Sequence, residues 1–128
     1  MSRQQESKLQ THCVAWFRLQ YPKLSLLLFA IPNGAMLHGD ARQRAMRWGI
    51  LEREGAVPGV ADLFLSVPSG DLAGLYIEMK TPKGRQSDNQ KAFEADVIAQ
   101  GYGYAMPRTF EDFQRIVKSY FETGKYCT

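Results

Sequence analysis

Two charged side chains stand inside a short segment that otherwise has the composition of a core strand. Residues 75–80 read LYIEMK, so Glu78 and Lys80 lie two positions apart. Side chains of a strand alternate between its faces, which places Glu78 and Lys80 on one face together with Tyr76. The other face carries Leu75, Ile77 and Met79 and is predicted to be core. A carboxylate and an ammonium on one sheet face indicate either a structural ion pair or part of a catalytic site.

A third charged residue, Asp62, is brought to the same place by the preceding strand. Residues 60–67, VADLFLSV, predict a strand, and residues 68–74, which contain two glycines, predict the turn that leads back into 75–80. An antiparallel hairpin folded near residues 70–71 places Asp62 opposite residues 78–80, on the face of Glu78.

Two carboxylates that converge on a partly buried face repel each other unless a compensating charge lies close by. Lys80 supplies one such charge, which would give a structural ion-pair cluster. A hard divalent cation supplies more, because carboxylate and carbonyl oxygens are ligands that suit Mg²⁺. The surroundings favour the second interpretation: the basic stretch TPKGR follows Lys80, and Gln90 falls in the first turn of the next predicted helix, whose N-terminus attracts anions.

These residues form an ordered set along the chain. Gly59-x-x-Asp62 is followed by IEMKTP (77–82), Gly84-Arg85, Ser87-x-x-Gln90 and Gly101. The set resembles the virus-type replication-repair nuclease (VRR-NUC) domain of the PD-(D/E)XK nuclease superfamily. Glu6 in the first helix, IPNGA (31–35) and an arginine-rich segment before residue 55 extend the resemblance over nearly the whole chain. Ala61 departs from the proline of the superfamily name, which affects turn stiffness more than chemistry.

The resemblance implies a restriction-endonuclease-like fold, an α/β structure in which helices flank a mixed β-sheet core. It implies that Mg²⁺ or Mn²⁺ is bound by Asp62 and Glu78 with help from the backbone carbonyl of Met79. Lys80 would position or activate the attacking water, and Gln90 would orient the lysine or the water. The implied reaction is hydrolysis of a DNA phosphodiester bond that leaves a 5′-phosphate.

Some of these residues also have plainer interpretations. By the resemblance, Glu6 reaches the metal site directly or through water, but it also fits an exposed first-turn residue favoured by the helix dipole. Gln90 also fits the capping-box partner of Ser87. Asn33 and Gly34 fit a plain turn as well as a role in the site.

The elements that must position these side chains follow from hydrophobic spacing and turn residues. The predicted order is α-β-α-β-β-α-β-α, in one domain that spans residues 1–128. The predicted ranges are helix 3–20, a buried strand at 24–31, helix 38–53, strands 60–67 and 75–80, a helix from Ser87 to about Gln100, strand 102–106, and a helix from Thr109 to Gly124.

Composition excludes several classes of protein. The chain has 45% apolar and 23% charged residues, which is ordinary for a globular domain and argues against disorder. The two cysteines argue against a disulfide framework and against a zinc cluster. The polar N-terminus does not fit a signal peptide, and the longest apolar run, LSLLLFAIP, is too short to span a membrane. We expect a cytoplasmic protein of a bacterial or phage-infected cell.

The net charge of +3 is small, but basic residues are clustered. Two groups are candidate contacts to a DNA backbone, although solvated surface residues would fit equally well. They are Arg42, Arg44 and Arg47 in the first group and Lys83 and Arg85 in the second.

Three functional classes fit these observations. The first is a structure-selective DNA endonuclease that resolves four-way (Holliday) junctions as a homodimer. The second is a flap, nick or restriction-type nuclease, and the third is a non-catalytic nucleic-acid-binding module. The C-terminal helix offers an apolar surface for a dimer, unless all of it is core. Its apolar residues are Phe110, Phe113, Ile116, Val117, Tyr120 and Phe121.

Overall fold

The computed structural model describes residues 2–32 and 37–126. The expectations for Asn33 and Gly34 lie outside the described residues. Among the described residues, no helix is long and apolar enough to cross a membrane.

The order of helices and strands predicted from the sequence is confirmed. The chain forms α1 (Ser2–Gln20), a 3₁₀ helix (Pro22–Leu27), β1 (Leu28–Ala30), α2 (Ala41–Arg53), β2 (Leu63–Leu65), β3 (Leu75–Ile77), α3 (Asp88–Ala99), β4 (Gly103–Ala105) and α4 (Phe110–Thr123). The four strands form one mixed sheet in the order β1-β2-β3-β4. β1 and β3 pair with β2 in antiparallel fashion, and β3 pairs with β4 in parallel.

The helix ends follow the predicted capping residues. Ser87 caps α3, and its side chain and that of Gln90 form a reciprocal capping box. Thr109 caps α4 at its start, and Gly124 ends it with a left-handed φ of 69°.

The prediction of a buried strand at residues 24–31 is wrong for most of its length. Pro22–Leu27 forms a 3₁₀ helix, and the side chains of Leu26 and Leu27 are 81% and 39% exposed. Pro22 starts this helix because its fixed φ and missing N–H suit a first helical turn. A short apolar run has no periodicity that separates a strand from a helix.

α1 and α4 pack together on one face of the sheet and form the main core with it. The apolar stripe of α4 belongs to this core: Phe113, Ile116, Val117 and Tyr120 are buried, and the half-buried Phe110 and Phe121 pack against it. The aromatic rings of this stripe contact aromatic residues of α1 and of the turn after it. For example, the ring centroids of Tyr21 and Phe121 are 4.9 Å apart. The prediction that this stripe is a free dimer surface is therefore wrong. Burial of each such side chain stabilises the fold by about 1.5–3 kcal/mol, so α4 is required to cover the sheet.

The other face of the sheet is covered by α3, which packs against β4. Here Val97 meets Tyr104 and Ala61 in a smaller core. The remaining helix, α2, has no buried residue, and it exposes 62% of Met46 and 46% of Ile50.

Candidate active site

The hairpin register places Asp62 beside Glu78, as the sequence predicts. Leu63 pairs with Ile77, so that the next pair toward the open end of the hairpin is Asp62 and Glu78. The Oδ2 atom of Asp62 accepts a hydrogen bond of 2.7 Å from the backbone N–H of Met79. This bond fixes the end of β2 to the chain that follows β3.

Glu78 and Lys80 extend the line of β3 beyond its last paired residue. The N–H of Glu78 donates to the carbonyl of Ala105 at 2.9 Å, and the N–H of Lys80 donates to that of Pro107 at 3.2 Å. These two bonds hold the backbone on the β4 side, and the bond from Met79 to Asp62 holds it on the β2 side. The side chains of Glu78 and Lys80 therefore start from fixed backbone positions. Both residues are buried, with 3% and 7% of their surface exposed.

Gln90 joins these two charged groups. Its Nε2 donates to Glu78 Oε2 at 2.9 Å, and its Oε1 accepts from Lys80 Nζ at 2.9 Å. The same Oε1 accepts from the backbone N–H of Ser87 at 2.9 Å, which completes the capping box. The two interpretations of Gln90 are therefore not exclusive, because one amide both caps α3 and contacts the charged pair.

The start of α3 is brought to the site by a close approach at Gly59. Gly59 has a φ of +85°, and a Cβ built on it would lie 2.4 Å from the backbone carbon of Asn89. Only glycine fits this position without strain. The Gly59-x-x-Asp62 spacing thus joins the strand that carries Asp62 to the helix that carries Gln90.

The two carboxyl groups both have raised pKa values, with burial as the largest cause. The pKa of Glu78 is raised to about 8 by burial first and by the charge of Asp62 second, with Lys80 opposing and Glu6 adding to the rise. Burial also raises the pKa of Asp62, against the lowering effect of the Met79 N–H. With both carboxyl groups ionised the site would carry two negative charges against the single positive charge of Lys80, so the metal-free site keeps a proton on Glu78 below about pH 8.

The residues present fit a divalent cation. The Oε1 atom of Glu78 is buried and has no hydrogen-bond partner among the described residues. A buried carboxylate oxygen without a partner is costly unless a cation or a water molecule contacts it. The Lys80 ammonium is 3.8 Å from the other oxygen, Oε2, and so leaves Oε1 uncompensated.

Among residues 2–32 and 37–126, no three side chains of the carboxylate, imidazole or thiol type are close enough to hold a metal ion. A metal would therefore rest on Asp62, Glu78 and backbone or water oxygens. Glu6 is near enough for its charge to raise the pKa of Glu78. This placement favours the indirect role for Glu6, through water, over direct ligation.

The two basic groups lie in different places. Lys83 and Arg85 are exposed in the segment directly after Lys80. Arg42, Arg44 and Arg47 are exposed on α2, where the Arg44 guanidinium donates to the carbonyl of Gly39 and that of Arg47 to the carbonyl of His38. The latter two arginines thus hold the chain before α2.

Some polar residues beside the site were not singled out from the sequence. Gln86 donates to Glu94 at 2.8 Å next to the buried Tyr104, and Arg108 contacts the chain just after Lys80. Arg108 carries no sequence signal, since PRT before an apolar helix is typical of an ordinary helix start.

A mixed sheet flanked by helices, with Asp62 and a Glu-x-Lys pair at adjoining strand ends, defines the restriction-endonuclease-like class. Within it, the model of the VRR-NUC domain matches residues 1–109, and the chain belongs to that family. A solved structure described as a VRR_NUC domain protein is similar over 90% of this chain and 86% of that one, with a TM-score of 0.73 and 20% identity. No curated protein matches. Membership implies a nuclease-type function with DNA as the substrate.

Proposed function

We propose that this protein is a metal-dependent, structure-selective DNA endonuclease that resolves four-way junctions as a homodimer. The observation that supports the proposal is the hydrogen-bonded set of Asp62, Glu78, Lys80 and Gln90, in which Glu78 and Lys80 are buried and two carboxyl groups share one lysine. A non-catalytic binding module has no use for two adjacent carboxyl groups, one buried and one half-buried, that repel phosphate when they are ionised.

Each residue of the set has a part in phosphodiester hydrolysis. Asp62 and Glu78, with the Met79 carbonyl, would hold Mg²⁺ or Mn²⁺. When bound, such a cation stabilises charge on the scissile phosphate and lowers the pKa of water. Lys80 would orient the attacking water and offset charge that develops on the phosphate. Gln90 holds the Lys80 ammonium in place by the 2.9 Å hydrogen bond, and Glu6 would order a water at the edge of the site.

The DNA backbone would be held by the exposed cations nearest the site. Lys83 and Arg85 are exposed three and five residues after Lys80, so we expect them to contact the phosphates nearest the catalytic set. Arg42, Arg44 and Arg47 would contact a more distant part of the duplex. Such contacts make DNA binding dependent on salt.

Symmetric cutting of a junction needs two sites, and a C2 dimer of this chain is the simplest source. With the α4 stripe buried, we place the dimer contact on α2, which has no buried residue and exposes two large apolar side chains, Met46 and Ile50. Met46 and Ile50 lie one helical turn apart, and Arg42 and Glu54 continue the same line at spacings of four residues. All four are exposed.

This α2 stripe is complementary to a second copy of itself. If two α2 helices pack antiparallel about an axis near residue 48, Met46 meets Ile50 of the partner subunit and Arg42 meets the partner's Glu54. The interface has an apolar centre and ion pairs at both ends. Arg42 thus has two candidate partners, a phosphate or a carboxylate of the second copy.

A cleavage assay on a panel of substrates tests the function. The panel comprises a four-way junction, a flap, a splayed arm, a duplex and a single strand, each with Mg²⁺, with Mn²⁺ or with chelator. We expect paired, symmetric cuts in the junction, with Glu78→Ala as the inactive control. Cleavage of the flap or of nicked duplex in preference to the junction would support the second functional class. Cleavage that persists in excess chelator would exclude the metal-dependent mechanism.

A further inference from the structure

Arg108 holds the turn that follows Lys80. Its Nη1 donates to the carbonyls of Thr81 at 2.8 Å and Gly84 at 2.7 Å, and more weakly to that of Pro82 at 3.4 Å. Three carbonyls from one turn therefore converge on one guanidinium nitrogen. In a turn without this arginine, the three carbonyls would accept hydrogen bonds from water. Because they share one donor on the protein instead, the turn is held in one conformation.

The turn itself is short and lies against Lys80. The N–H of Gly84 donates to the carbonyl of Thr81 at 3.0 Å, and Pro82 and Gly84 stand where a type I turn favours proline and glycine. A Cβ built on Gly84 would lie 3.4 Å from Cδ of Lys80. The folded turn therefore forms one wall around the aliphatic part of the lysine.

Arg108 is itself anchored on two sides. Pro107, the residue before it, accepts the hydrogen bond from the Lys80 N–H, and the Arg108 N–H donates to Asp112 Oδ2 at 3.0 Å in the first turn of α4. The guanidinium is thus attached to a rigid junction between sheet and helix. Any change in the turn shape must break contacts with this junction.

We propose that Arg108 is a positioning residue for Lys80: by holding the turn 81–84, it keeps the lysine side chain in the place where its ammonium serves the reaction. It also sets the directions of Lys83 and Arg85, the nearest candidate DNA contacts. Arg108 acts through the turn and does not touch the reacting atoms. The activity part of this inference rests on the proposed nuclease function, and the turn part does not.

Trypsin tests the turn without DNA or metal. Trypsin cleaves after lysine and arginine, so Lys83 and Arg85 are exposed trypsin sites, and a turn held in one conformation should resist this cleavage. We expect Arg108→Gln to speed cleavage after these two residues by about tenfold or more, the factor that corresponds to about 1.4 kcal/mol of lost hydrogen bonding. Arg108→Lys keeps the charge, but its side chain ends one bond short of the Nη1 position, so it should behave like Arg108→Gln. Arg18→Gln is the matched control, because Arg18 also donates to two backbone carbonyls, those of Ser25 and Leu28, away from the site.

Cleavage kinetics test the positioning. With saturating DNA and Mg²⁺, kcat per folded molecule should fall about 10²-fold in Arg108→Gln, since a displacement of about 1 Å costs that much, and should be unchanged in Arg18→Gln. Faster trypsin cleavage with unchanged kcat would mean that Arg108 holds the turn without positioning Lys80, and this result would overturn the proposal. Unchanged trypsin cleavage would overturn it as well. Faster trypsin cleavage in a chain that cuts no DNA would uphold the turn and refute the nuclease function instead.

Discussion

Gln90 donates from Nε2 to Glu78 Oε2 at 2.9 Å, so an amide at the start of α3 holds a carboxylate of the sheet. An amide can do this only with its nitrogen toward Glu78 and its oxygen toward Lys80, an arrangement that both contacts require. The helix cap and the site are therefore one hydrogen-bond system, and their contributions must be separated by mutation.

Two alanine variants separate them. Ser87→Ala removes the side chain that caps α3 and leaves the contacts of Gln90 with Glu78 and Lys80, so it should cost about 1 kcal/mol of stability and little activity. Gln90→Ala removes the cap partner and both site contacts, so kcat should fall about tenfold or more while stability falls by a similar amount. Thermal unfolding and single-turnover cleavage measure the two effects. Equal activity in both variants would assign Gln90 to capping alone.

Glu78→Ala should abolish cleavage and leave the fold intact. Removal of one buried carboxylate also lessens repulsion of phosphate, so DNA binding should be unchanged or tighter. Gel-shift titration and circular dichroism measure binding and fold. Wild-type activity should disappear in chelator and return with Mg²⁺ or Mn²⁺. A Glu78→Ala protein that still cuts DNA would remove this carboxylate from the mechanism.

The raised pKa of Glu78 predicts how stability depends on pH. Its ordinary value is 4.5 and its folded value is about 8, so between these pH values the folded state holds a proton that the unfolded state has lost. Stability of the metal-free protein should therefore fall as pH rises from about 5 to 8, and the raised pKa of Asp62 acts in the same direction. Each 1 kcal/mol of this loss lowers Tm by about 4 °C.

The pH effect has two controls. Glu78→Gln removes the titrating group and should flatten the dependence of Tm on pH. Mg²⁺ competes with the proton, so it should raise Tm more at pH 8 than at pH 5. These measurements need no DNA. A wild-type Tm that rises from pH 5 to 8 without metal would contradict the raised pKa of the buried Glu78.

Lys80→Ala should reduce the cleavage rate by about 10²–10⁴-fold, as for loss of a group that transfers a proton or stabilises charge. A lysine that served only as an ion-pair partner would instead lower Tm and spare turnover. The rate must therefore be expressed per folded molecule, with the folded fraction measured on the same sample. Near wild-type turnover in Lys80→Ala would defeat the catalytic assignment.

The sequence predicts the centre of the site better than its surroundings. The alternation of residues 75–80 and the length of the hairpin loop are local rules, and they are enough to place Asp62 beside Glu78. The capping pattern likewise places Gln90 at the start of α3. Each of these relations depends on neighbouring strands or on a single helical turn.

Relations that depend on packing between distant elements were not predictable in this way. Arg108 reaches the turn at 81–84 only because β4 lies parallel to β3, and its local sequence has no marker of that contact. The α4 stripe has the same composition whether it covers a sheet or a partner. Its burial follows from the position of α1, which no local pattern fixes.

The last prediction concerns the α2 stripe in the proposed dimer. Arg42→Glu and Glu54→Arg should each bring like charges together across the interface and weaken the dimer by about tenfold or more. The double variant Arg42→Glu/Glu54→Arg should restore it, because it exchanges the charges of both partners. Light scattering over micromolar concentrations, where the monomer has a mass of 14.5 kDa, measures the outcome. A wild-type mass near 14.5 kDa at all concentrations would exclude the dimer. If the double variant forms no more dimer than the single variants, the pairing of Arg42 with Glu54 of the partner subunit is excluded. If Arg42→Glu loses DNA affinity at an unchanged mass, Arg42 contacts a DNA phosphate instead.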